Sequence, residues 1–262
     1  MTITHHSRLT IILILVFFAA VYSTAYGAKK PVRVDIGGDK AKATYIRGEV
    51  HKTENDLPTG APIAVGDPLF QGSRFSTGED ARIELRLPDD SFLRFDEKTA
   101  FELTAVEYDP GRKKRSVNIR MILGKTWANV SKMVGKGGRF EVTTRTAVAG
   151  VRGTVYRVNV QEADTVIVKV YWGEILLKSK PAGTGGALPP PKLSKPTRVL
   201  GPQPIAGPKP VSMEEWTYIV KSMQQIIVRP DGTATKPFRF SPQDDLNDWV
   251  RWNKERDEAV RQ

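Results

Sequence analysis

The chain has 262 residues, with 40 Lys and Arg against 29 Asp and Glu and no cysteine. The length suits one large or two small domains, at about 100–200 residues each, and the formal charge of +11 favours anionic partners. Without cysteine there can be no disulfide, thiolate metal site, cysteine nucleophile or lipid-modified cysteine, so the fold must rest on its core alone.

Residues 1–27 read as an export signal. Arg8 is the charged start, Leu9 to Val21 is apolar apart from Thr10, and Ala25-Tyr26-Gly27 has the small-x-small form of a cleavage site. The mature start is then Ala28. The apolar run falls short of the roughly 20 residues of a membrane span. The expectation is a periplasmic or extracellular protein with no integral span after cleavage. The alternative is an uncleaved N-terminal anchor in the inner membrane, since the run lengthens when carried to Ala25. The signal holds one charge, Arg8, so the remainder stays at +10. An exported protein of this charge meets nucleic acid only incidentally. Its expected partners are an envelope protein or an anionic cell-wall or lipid surface, although solubility is the simpler account of the charge.

From about Val32 to Lys178 the pattern alternates with period 2, the mark of β-strands. In Ala81-Arg82-Ile83-Glu84-Leu85-Arg86-Leu87 every second residue is apolar and the rest are charged, predicting one buried and one wet face. Pro88-Asp89-Asp90 makes a turn, Phe92 to Phe95 returns, and Phe101 to Ala105 repeats the pattern. Asp109-Pro110-Gly111 turns again before Val117 to Met121. Later strands are Arg139 to Thr143, Val155 to Val160 and Thr165 to Val170. A loose echo recurs at Arg47-Gly48-Glu49-Val50, Leu123-Gly124-Lys125-Thr126-Trp127 and Trp172-Gly173-Glu174-Ile175-Leu176, each placing a glycine where a strand can bend. Trp127 and Trp172 are expected in the core.

The segment Thr143 to Val158 is the most telling. Gly150 and Gly153 lie three apart among small and β-branched residues, predicting a tight β corner around Arg152 and Thr154. Arg152 has two readings: a bidentate fork for a carboxylate or phosphate, or a lock that bonds backbone carbonyls or an internal acid. The second is preferred. Arg112-Lys113-Lys114-Arg115 is a basic cluster after a turn, suited to an anionic polymer or headgroup and equally to a solvated loop.

Prolines crowd residues 181–210, which predicts a semi-extended linker. Beyond it, Ser212 and Glu215 have capping-box spacing, and Trp216, Ile219, Val220, Met223 and Ile227 fall near one helical face, predicting a helix to about Val228. A second helix is expected from Ser241-Pro242, with Leu246, Trp249, Val250 and Trp252 as its stripe and a charged, fraying end from Lys254. Trp216, Trp249 and Trp252 are expected to glue these helices to the β region, or to form a partner-facing groove.

Catalysis has little support. His5 and His6 lie in the signal, leaving only His51 as a histidine base. Asp89-Asp90 sits in a turn, and Asp244-Asp245 in a first helical turn, where negative charge is favoured. Gly135-Lys136-Gly137-Gly138 lacks the spacing of a phosphate loop and reads as a hairpin tip. No enzyme activity, cofactor or metal site is expected.

Several segments, in order, resemble the FecR domain family from about Ile46 to Leu177. They are Gly48-Glu49-Val50, Val65-Gly66-Asp67-Pro68-Leu69, Gly72 to Gly78, Leu85-Arg86-Leu87-Pro88-Asp89-Asp90-Ser91, Leu123 to Trp127, and Ala147-Val148-Ala149-Gly150-Val151-Arg152-Gly153-Thr154. Asp90 stands where the family has glycine, Arg145 where it has proline, and Val155-Tyr156 where it has Glu-Phe. The resemblance implies a mainly β fold: a FecR-like antiparallel β sandwich or roll of short strands over residues 28–180. With the two C-terminal helices, the expected order is signal 1–27, β domain 28–180, linker 181–210 and helical extension 211–262. Founding members of the family sense siderophore uptake through a cytoplasmic anti-sigma segment and a membrane span. The 27 residues before the expected mature start have no room for such a segment. The expected function is therefore non-catalytic binding in the envelope, in signalling. The alternatives are an accessory role in an extracytoplasmic sigma-factor pathway and, least favoured, a cell-wall-active enzyme.

Overall fold

The computed structural model describes residues 40–53, 60–109, 111, 114–132, 137–180 and 215–260. The expected signal, the 181–210 linker, Arg112, Lys113, Gly135, Lys136 and Ser212 lie outside them.

Among the described residues, seventeen strands and one helix follow in chain order. They are β1 (Ala41–Arg47), β2 (Val50–Thr53), β3 (Ala61–Pro62), β4 (Pro68–Leu69), β5 (Arg74–Thr77), β6 (Arg82–Arg86), β7 (Phe92–Phe95), β8 (Ala100–Asp109), β9 (Lys114–Asn129), β10 (Gly137–Thr143), β11 (Ala147–Val151), β12 (Val155–Val160), β13 (Val166–Trp172), β14 (Glu174–Ser179), β15 (Thr217–Lys221), β16 (Gln224–Val228), β17 (Phe238–Arg239) and the helix α1 (Asp248–Val260). The alternation read from the sequence becomes alternation of burial. In β14, Ile175 and Leu177 are buried while Glu174, Leu176 and Lys178 face out.

All the strands are joined by pairing, and the system divides at β9 into two leaves. Leaf A runs β4-β1-β6-β7-β9-β12-β13-β16-β17. Leaf B runs β3-β2-β5-β8-β9-β10-β11-β14-β15. The inward residues of both leaves meet in a single buried cluster. Within it Phe95 of leaf A stacks on Phe101 of leaf B, ring centroids 3.5 Å apart.

The glycines of the sequence echo mark places where the chain passes from one leaf to the other. Gly48 joins β1 to β2, Gly124 divides β9 between its two leaves, and Gly173 joins β13 to β14, all at positive φ. Gly124 is the most constrained: at φ 92, an added Cβ would stand 2.6 Å from the Cα of Thr99. Straight, the 16 residues of β9 would reach roughly 50 Å. Instead Arg115, near its start, lies within 3.4 Å of the Ser131 carbonyl oxygen just past its end. The chain thus returns beside the start of β9, and β10 runs parallel to it from Gly137↔Lys114 to Thr143↔Arg120. This is the single parallel pairing described, in a sheet expected to be antiparallel throughout.

The helix expected to end near Val228 is instead two strands joined by a turn at Ser222-Met223: β15 pairs with β14 in leaf B and β16 with β13 in leaf A. Val220, Ile226 and Val228 are buried with period 2. β-Branched residues dominate the segment, and β14 and β13 offer pairing edges that local propensity could not reveal. Only the second expected helix forms. It starts at Asp248, several residues after Ser241-Pro242, and continues to Val260 without the expected fraying. Leu246, expected in its stripe, is 45% exposed.

Two burial expectations also change. Trp172, expected in the core, is 58% exposed, because β13 ends there and turns at Gly173 before its side can close. The face of β6 expected to be wet is sealed at Arg82 and Glu84, which are buried beneath α1, while Arg86 is exposed as expected.

Candidate functional site

At the signature corner, β11 of leaf B ends at Val151 and β12 of leaf A starts at Val155. Gly153 supplies the required backbone, with φ 58. Gly150 does not: it sits within β11 outside the left-handed region, and an added Cβ would meet only the Leu176 carbonyl oxygen at 3.7 Å. Thr154, fully buried, ties the corner. Its hydroxyl donates to the Glu174 carbonyl at 2.9 Å, and its backbone exchanges hydrogen bonds with Val130. Arg152 is exposed at the tip.

The outer face of leaf B is covered by no described element. Across it runs the register row Ile219–Leu176–Gly150–Glu141–Asn118, spanning β15, β14, β11, β10 and β9. Ile219 is 54% and Leu176 39% exposed, and Gly150 leaves a side-chain-free step beside them. The charges on this face are mixed and partly mutually paired: Arg74 lies 3.5 Å from Glu102, and Arg139 3.7 Å from Glu141.

The outer face of leaf A is the opposite case. A row of Glu84 (β6), Arg94 (β7), Trp127 (β9), Arg157 (β12) and Lys169 (β13) crosses it in register, beneath α1 and its lead-in. Glu84 accepts from Arg94 Nε at 2.6 Å, from Arg256 Nε and Nη2 at 2.8 and 2.7 Å, and from Thr44 Oγ1 at 2.7 Å. Burial alone would raise the Glu84 carboxyl, but the bonds from Arg256 and Arg94 outweigh it and hold the carboxyl down at about 2. Asp257 accepts from Arg94 Nη1 at 2.6 Å and from the Trp127 indole N–H at 2.9 Å. Asp245 accepts from Arg157, Lys169 and Tyr171. Burial opposes the Asp245 charge too, yet bonds from Lys169 and Tyr171 keep its carboxyl below the usual range. Asp245 therefore lies ahead of the helix as a buried hub, not in a solvated first turn. The alternation could not show this, because an exposed charge and a capped one look alike in sequence.

The basic cluster divides. Lys114 is exposed, but Arg115 is 2% exposed, turned inward to Asp89 and over the Phe140 ring. Asp89 also accepts from the Ser91 hydroxyl at 2.8 Å. Asp90 takes φ 61, the backbone a glycine would supply, so the hairpin keeps a one-residue left-handed step. Gly137 and Gly138 belong to β10. His51 lies in β2, its Nδ1 3.3 Å from the Gly60 carbonyl oxygen. Trp249 is buried and Trp252 half-buried against leaf A, and Trp216 packs on the main core. A cavity of about 140 Å³ lies between α1 and leaf A, walled by Trp127, Tyr171 and Trp172 and by Lys254, Asp257 and Glu258.

Residues 73–176 match the model of the FecR protein family. The match covers less than half of the chain and leaves β1–β4, β15–β17 and α1 outside it. No curated protein matches the chain. Two crystal structures of a candidate anti-sigma factor from Parabacteroides distasonis ATCC 8503 are similar to it, each at 18% identity, with TM-scores of 0.42 and 0.43. Each alignment covers 65% of this chain and 61% of that protein, so the match spans less than two thirds of its length.

Proposed function

We propose that the chain is a non-catalytic, exported binding module that engages an envelope protein through the open face of leaf B, in a signalling role. The supporting observation is the asymmetry of the two leaves. One outer face is sealed by α1, while the other presents Ile219 and Leu176 beside Gly150, a glycine that neither backbone nor neighbours require. An apolar patch with a polar surround suits a protein partner. Mixed charge on that face, and the inward turn of Arg115, favour a protein over an anionic polymer. The FecR domain supports the signalling role and, as a second reading, an accessory place in an extracytoplasmic sigma-factor pathway.

The test uses residues 28–262 as bait in envelope extract at low and high salt, beside a Leu176→Glu/Ile219→Glu variant of unchanged circular dichroism. The wild type should retain a protein at high salt that the variant loses. Equal capture by both, or capture only of anionic polymer that salt releases, would refute the proposal.

A further inference from the structure

The sealed face of leaf A is a second surface, independent of the open face. Arg82, Arg94, Arg157 and Lys169 point outward from β6, β7, β12 and β13 around Trp127. The segment laid over them brings three carboxylates to the four cations: Asp248 to Arg82 at 2.7 Å, Asp257 to Arg94 at 2.6 Å, and Asp245 to both Arg157 and Lys169. Charge complementarity therefore sets where the helix lies. Apolar burial adds to it: Trp249 and Val250 of α1 pack with Trp127 and Val155, while its other two buried residues, Asn253 and Asp257, are polar.

The fit is incomplete. Arg94 Nη2, Arg157 Nε and the Trp249 indole N–H are buried and lack a hydrogen-bond partner. Each is a buried donor that the docked segment leaves without a protein acceptor, and a better-placed acceptor would stabilise the interface. The helix also lies beyond the matched FecR domain, near the end of the described chain. Lifted off, it would bare four cations around an indole, against which leaf A sets Glu84 and Asp96.

We propose that the outer face of leaf A is a docking surface for an acidic amphipathic helix of another protein, and that α1 with its lead-in occupies it as an internal stand-in. Such a helix would carry carboxylates spaced like Asp248 and Asp257, on the face that also presents an aromatic. A partner helix that pairs the donors α1 leaves unsatisfied would displace it.

A labelled peptide of residues 241–262 serves as the probe. It should bind the full chain carrying Asp245→Asn and Asp257→Asn at least tenfold more tightly than the wild-type chain, whose own helix competes. The same peptide with both aspartates changed to Asn should bind neither. Equal affinity for both chains, or undiminished binding of the neutralised peptide, would overturn the proposal. Hydrogen exchange on the wild-type chain removes any dependence on variant folding. The peptide should accelerate exchange in α1 and leave β7, β9 and β12 protected. If α1 amides exchange only together with those strands, the helix is a fixed part of the fold and the proposal fails. Concentration-dependent dimerisation by exchange of α1 would equally overturn the assignment to a separate partner.

Discussion

Replacing Glu84 by Gln tests whether the charged row beneath α1 is dry. The substitution keeps size and removes one negative charge. Glu84 is 2% exposed and Arg94 is fully buried. The carboxylate accepts from Arg94, Arg256 and Thr44, whereas the amide offers one oxygen and turns an NH2 group towards cations. Removing one partner of a buried ion pair costs about 3–5 kcal/mol, because the remaining charge is left uncompensated. The depression of the carboxyl by the same bonds is of matching size. The distance from 4.5 to about 2 corresponds to roughly 3 kcal/mol. With a urea slope of about 2–3 kcal/mol per molar for a domain of this size, the midpoint should fall by about 1–2 M. The folded-state value is depressed, so the stability that Glu84 contributes is complete above about pH 4.5 and is lost as the pH falls towards 2. The Gln variant should lack that part of the acid response. A loss below about 1 kcal/mol, with an unchanged pH profile, would mean that the row is solvated and the reasoning wrong.

Gly124→Ala should cost roughly 2–4 kcal/mol, since it combines a left-handed backbone with overlap against Thr99. Gly150→Ala should instead be neutral or stabilising by up to about 1 kcal/mol, yet weaken partner capture by filling the step beside Leu176. Urea midpoints and the capture assay check both. Thr154→Val should cost about 1–2 kcal/mol by leaving the Glu174 carbonyl without its donor, read from the thermal midpoint. Arg115→Gln should destabilise by about 3 kcal/mol through the buried Asp89, while a Lys114→Gln control should stay within about 0.5 kcal/mol.

The inner faces of the strands were legible because an alternating apolar residue has one place to go. Val166, Val168 and Val170 alternate in sequence and lie buried in the same rhythm. The corners were legible too, since a glycine before a strand relaxes a backbone that other residues would strain. The outer faces were not. Arg82 and Glu84 alternate with apolar residues as solvated charges do, and only the arrival of α1 more than 150 positions later makes them a buried network.

What the sequence by itself determined is the β class, the resemblance to FecR, the strand register signals and the bends at Gly48, Gly124 and Gly173. These depend on local sterics and on burial of a repeating apolar face. Only tertiary structure decided that Trp216 to Val228 pairs as strands, that β10 runs parallel to β9, that Arg115 turns inward and that Asp245 is a buried hub. In each case the residue's partner is distant along the chain. A segment able to be either strand or helix takes the form whose backbone and charges its neighbours can satisfy.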